Sequence, residues 1–119
     1  MDSPLDLTNV PDLDPDIFEP VREVLSPQML VELVGVLERT ARETLSQLMT
    51  DLENQSLDAA RRSAHKLKGS AGNVGLKRIS MTAARIEGAM DLAQAQKLTA
   101  TIPDLLEKGL IVLKSKINN

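Results

Sequence analysis

His65 is the one histidine of this 119-residue chain, and there is no cysteine. Its imidazole is therefore the one nitrogen nucleophile with a neutral form available near pH 7, and the direction in which it points decides whether it can react. Around it, Leu57, Ala60, Ala64, Leu67, Ala71 and Val74 recur at steps of three and four residues, the seam of a helix that faces a core. At about 100° per residue the seam covers roughly 80°, and His65 lies roughly 140° from its centre. The ring is expected to face solvent. Arg61 precedes it by four residues, Lys68 follows at three, and Gly69 and Gly72 follow at four and seven, all toward the same side.

A lone histidine is more often an inert surface or core residue, but cations and bare backbone around it change the reading. Glycine inside a helix costs about 1 kcal/mol relative to alanine, so Gly69 and Gly72 point to a close approach. On a solvent face the visitor would be a partner or ligand; the competing explanation is tight packing within the protein. A cation one turn from an exposed imidazole favours the neutral nucleophile, and it also suits an added phosphoryl group, whose oxygens Lys68 can neutralise. The plainer alternative is that Lys66 and Lys68 are solvated surface lysines.

The elements that must hold this helix are legible as periods and breaks. Residues 1–15 carry Pro4, Pro11 and Pro15 among Asp2, Asp6, Asp12 and Asp14, and read as an acidic, flexible arm. A short helix over 16–25 would bury Ile17, Val21 and Leu25, with Pro20 confining or kinking it. Ser26-Pro27 starts a long amphipathic helix through Leu30, Leu33, Val34, Leu37, Ala41, Leu45, Leu48 and Leu52. Asn54-Gln55-Ser56 ends it, and Ser56 can cap the His65 helix, which stops at Asn73-Val74-Gly75. A further helix from Lys77 lines up Ile79, Ala83, Ile86 and Met90. The last, Leu92 to Ile117, is expected to kink at Pro103. Residues 16–119 thus read as an all-α, antiparallel, up-down-up-down four-helix bundle with a short extra N-terminal helix.

The segment Ala64-His65-Lys66-Leu67-Lys68-Gly69-Ser70-Ala71-Gly72-Asn73-Val74-Gly75-Leu76 resembles the signature of histidine-containing phosphotransfer (HPt) domains of bacterial multistep phosphorelays. It has the Ala-His pair, Lys-Gly three and four positions after the histidine, a small residue next, and an Asn-apolar-Gly helix end. The wider likeness runs from about Leu13 to Leu113 in helix order and length. The resemblance implies that His65 is the phosphoacceptor, Lys68 the cation that stabilises the phosphoryl group, and Gly69 the gap that gives a partner access, with Ser70 a small neighbour. It also implies a Gln or Glu twenty-two residues after the histidine, where Glu87 stands. A carboxylate there can accept from Nδ1–H and leave Nε2 to attack, although a solvated glutamate fits the sequence as well. The partners implied are receiver domains and a hybrid sensor histidine kinase, with Mg²⁺ supplied by the receiver and no cofactor in this chain. Val36 and Met81 are candidate docking residues.

Composition narrows the alternatives. The chain has no Cys and one His, which excludes a disulfide scaffold and a histidine-rich metal site, and no apolar run approaches membrane length. An acidic N-terminus is unlike a signal sequence, so a cytoplasmic protein is expected, and its polar helix faces make a monomer the expectation. Gly75-Leu76-Lys77 breaks the order of a phosphate-binding loop, so no ATP site and no kinase activity are expected. Net charge is −3, yet residues 1–60 carry thirteen acids against Arg22, Arg39 and Arg42, while residues 61–85 carry seven bases and no acid. The rival function is therefore a non-catalytic helical adaptor that grips an acidic partner through Arg61, Arg62, Lys66, Lys68, Lys77, Arg78 and Arg85. Nucleic acid is disfavoured by the acidic total and a single aromatic, Phe18.

Overall fold

The structure is a computed structural model and describes residues 5–117. Six helices follow one another among the described residues: α1 Pro15–Val24, α2 Pro27–Glu53, α3 Leu57–Gly72, α4 Lys77–Glu87, α5 Leu92–Thr99 and α6 Ile102–Ile117. No strand occurs among the described residues. α2, α3, α4 and the α5–α6 pair form the antiparallel four-helix bundle, in which α3 packs between α2 and α4 and α6 returns against both of these. The helix starts are built as the caps require: Ser26 Oγ accepts from Met29 N–H at 3.2 Å with Pro27 at the first position, and Ser56 Oγ accepts from Ala59 N–H at 3.3 Å. The α2 stripe Leu30, Val34, Leu37, Ala41, Leu45, Leu48 and Leu52 and the α3 seam Ala60, Ala64, Leu67 and Ala71 are all buried, which fixes the rotation of α3 and turns the His65 side outward.

Three expectations are corrected. The last helix is two: the chain leaves the helix at Ala100–Thr101, and Pro103 falls in the first turn of α6, where its missing N–H leaves nothing unbonded. Met90 is not on the buried side of α4 but 81% exposed in the turn after it, because the helix stops at Glu87. In α1 the residue that enters the core is Phe18, 1% exposed, whereas Ile17 is 43% exposed. Of the residues at four-residue steps only Ile17 is turned out, since Val21 is half-buried and Leu25 packs against the core. The larger apolar area of the ring decides the rotation, and Asp14, which caps α1, holds its start.

Residues 5–14 have no regular structure, yet they are tied down. Leu13 is buried, Asp14 N–H donates to the Gly75 carbonyl at 2.7 Å, and Arg78 Nε donates to the Val10 carbonyl at 2.6 Å. Lys77 and Arg78 also lie 3.5 and 3.9 Å from Asp14 and Asp12. The acidic segment is thus matched to bases at the start of α4.

On the other side of the bundle Glu38 of α2 accepts from Lys114 of α6 at 2.6 Å and from Arg42 at 3.3 Å, and Arg42 reaches Glu107 at 2.8 Å. The Lys114 ammonium, ahead of Arg42, holds the Glu38 carboxyl below its ordinary 4.5. A lowered carboxylate contributes stability that is present above the unfolded value and lost as pH falls through the folded one. Glu38→Gln is therefore expected to cost up to about 1 kcal/mol near neutrality and nothing at low pH, so its urea-derived stability should fall less than the wild type's below pH 4.5.

Candidate functional site

α3 carries the imidazole and α4 ends against it. Ala64 and Leu67, both fully buried, anchor the helix on either side of His65, whose side chain is 66% exposed. Glu87, the last residue of α4, reaches across so that one carboxylate meets two groups of α3: Oε2 lies 2.5 Å from His65 Nδ1 and Oε1 2.6 Å from Lys68 Nζ. A carboxylate here only accepts, so in the neutral ring Nδ1 carries the proton and Nε2 bears the free lone pair toward solvent. Glu87 is accordingly no plain solvated glutamate. The Lys68 hydrogen bond first, and the His65 one second, lower its carboxyl below the ordinary value, so it is ionised at neutral pH. Lys68 does not act on the ring as a lone cation either, because the carboxylate stands between them.

The turn after Glu87 is fixed by a residue whose role the sequence did not announce. Arg61 donates from Nε to the Ala89 carbonyl at 3.1 Å and from Nη2 to the same oxygen, while its Nη1 lies 3.7 Å from Asp58. Because the acceptor is a backbone carbonyl, no side-chain pattern could signal it. The effect is to hold the end of α4 against α3 one turn before His65.

The two glycines separate. A Cβ at Gly69 would meet nothing within 4 Å beyond the helix's own backbone, whereas one at Gly72 would lie 3.2 Å from Ser80 Oγ on α4. Gly69 leaves an opening beside the imidazole; Gly72 serves the packing of α3 on α4, the reading held as its competitor. Ser70, half-buried, returns its hydroxyl to the Leu67 carbonyl at 3.3 Å. Val36 is 50% exposed and Met81 partly buried. The basic strip is not a single surface, since Lys77 and Arg78 hold the N-terminal segment and Arg61 and Lys68 are occupied at the α4 edge.

An exposed imidazole, a carboxylate hydrogen-bonded to its Nδ1, an ammonium one turn away and an uncovered stretch of backbone at Gly69 thus stand together on the outer face of α3. The Hpt domain profile matches residues 32–116. The fold is similar to histidine-containing phosphotransfer protein B (HptB) of Pseudomonas aeruginosa PAO1, with a TM-score of 0.71 and 24% identity over 92% of this chain and 97% of that one. It is also similar to the histidine-containing phosphotransfer domain of ArcB from Escherichia coli, with a TM-score of 0.68 and 23% identity over 89% and 92%. No curated protein gives a match to the sequence. The chain belongs to the Hpt domain family, and it is a histidine phosphotransfer carrier of a phosphorelay.

Proposed function

We propose that His65 accepts a phosphoryl group from the phosphoaspartate of one receiver domain and returns it to the aspartate of another. The observation that carries this reading is the single carboxylate of Glu87 bridging Nδ1 and Lys68, which in the neutral ring places the proton on Nδ1 and leaves the Nε2 lone pair free. In the forward step the Nε2 lone pair attacks phosphorus, the P–N bond forms, and the P–O bond to the acyl group breaks with its electron pair going to the aspartate carboxylate. In the neutral ring that attacks, Nε2 holds no proton to lose. Positive charge develops on the ring instead, and the hydrogen bond from Nδ1–H to Glu87 strengthens to meet it. Lys68, adjacent and cationic, shifts from Glu87 toward the phosphoryl oxygens. The reverse step uses the same groups.

The site's own polar groups are an imidazole, an ammonium and one carboxylate, a poor set for a hard divalent cation that seeks several oxygens. The Mg²⁺ of the reaction belongs on the receiver, where it neutralises phosphoryl charge. The transferring unit is the bundle of residues 16–119, with residues 1–15 as its arm. It acts as a monomer in the cytoplasm, charged through a hybrid sensor kinase and its receivers; among the described residues no helix is long and apolar enough to cross a membrane.

The test is chemical. Incubation with phosphoramidate, and separately with a phosphorylated receiver, should give one acid-labile, base-stable phosphate per chain, located on His65 by peptide mass spectrometry. Absence of label, or label elsewhere, would overturn the assignment.

A further inference from the structure

Round α3, at about 100° per residue, Arg61 and Lys68 lie about 40° and 60° from His65 on one side, and both are occupied there by Ala89 and Glu87. Gly69, Arg62 and Lys66 lie about 40°, 60° and 100° from it on the other. Arg62 and Lys66 are exposed, four residues apart, and neither has a hydrogen bond or ion pair among the described residues. Like charges at this spacing repel, and neither cation is held by an ion pair among the described residues.

We infer that Arg62 and Lys66 form a cationic rim that recognises an acidic surface on the receiver that exchanges phosphate with His65. The inference rests on the assignment of His65 as phosphoacceptor and adds to it the electrostatic character of the partner. α4 occupies one side of the imidazole through Glu87, and the other side is open at Gly69. A protein that brings its aspartate to Nε2 must enter over that opening, so its surface covers the two unpaired cations. Covering them with apolar or basic groups would strip their water without return, whereas acidic side chains supply the missing partners. The phosphorylated aspartate is itself anionic. Such complementarity acts chiefly on the rate of encounter, and it excludes receivers whose face is basic.

The experiment measures the initial rate of transfer from a phosphorylated receiver to the full chain. It compares wild type, the double variant Arg62→Glu/Lys66→Glu, and the charge-matched control Lys97→Glu/Lys116→Glu, which alters exposed bases on α5 and α6. At about 0.02 M salt the rim variant should be about tenfold slower or more, while at about 0.5 M it should approach the wild type, because exposed charges are then screened within a few ångströms. The control should stay within about twofold, and phosphoramidate should label all three proteins within about threefold of each other. Equal transfer by wild type and rim variant at low salt, a loss that salt does not relieve, or an equal loss in the control would overturn the inference. Failure of phosphoramidate to label wild-type His65 would instead defeat the assignment on which the inference rests.

Discussion

Gly69→Gln is expected to be labelled by phosphoramidate at close to the wild-type rate and to lose transfer from a phosphorylated receiver by about a hundredfold or more. His65→Gln should lose both. The contrast follows from where each side chain stands. A Cβ at Gly69 meets no atom within 4 Å beyond the local helix backbone, so the longer side chain can be built without moving the bundle, and glutamine is a better helix former than glycine. Far-ultraviolet dichroism and melting temperature should be unchanged or slightly improved. Phosphoramidate is small enough to reach Nε2 past the new side chain. A receiver is not, because its backbone must descend into that opening before phosphorus and nitrogen come within reacting distance, and a displacement of about 1 Å can cost a hundredfold in rate. A Gly69→Gln protein that exchanges phosphate with a receiver as fast as wild type would show that the partner approaches from elsewhere. Loss of both labelling routes with the fold intact would show that residue 69 acts on the imidazole itself.

What the sequence reveals here is what depends on one helix at a time. The seam of α3 and the outward turn of His65 follow from 3.6-residue periodicity, which packing only confirms, and the Ser26 and Ser56 caps are signalled within three residues of the N–H groups that donate to them. Contacts that need two elements are less visible. Glu87 is found at the right distance along the chain by family resemblance, but that one carboxylate serves both Nδ1 and Lys68 depends on how α4 ends against α3. Gly69 and Gly72 look alike on a wheel. They differ because α3 and α4 converge on the short turn at residues 73–76, so the glycine nearer the turn is covered by Ser80 and the one a turn back is not. The clasp of Arg78 on Val10 spans 68 positions and ends on a backbone carbonyl, an acceptor that every residue carries.

The same turn sets the second large effect, on stability. Gly75 has φ +91°, in the region where a side chain is strained, and a Cβ there would lie 2.8 Å from the Asp14 carbonyl oxygen and 3.2 Å from Ile17 Cβ. Neither neighbour can yield by a rotamer change, since one is backbone and the other is the first side-chain carbon of a helix. Asp14 is also fixed from two directions: its N–H donates to the Gly75 carbonyl at 2.7 Å and its carboxylate caps α1 at Asp16. Gly75→Ala must therefore either distort the α3–α4 turn or lift α1 away and expose Phe18. We expect a loss of about 3 kcal/mol, or roughly 10 °C in melting temperature for a domain of this size. Gly75→Asn separates the two causes, because asparagine tolerates the left-handed region but carries the same Cβ. If the collision with Asp14 dominates, Asn and Ala should be destabilised alike; substantial recovery in Asn would assign the effect to backbone strain. Phosphoramidate should still label His65 in either variant at a temperature where it is folded, since the imidazole, Glu87 and Lys68 are held by α3 and the end of α4 rather than by this turn. A Gly75→Ala protein as stable as wild type would mean that α1 and the segment before it do not draw their stability from contact with this turn.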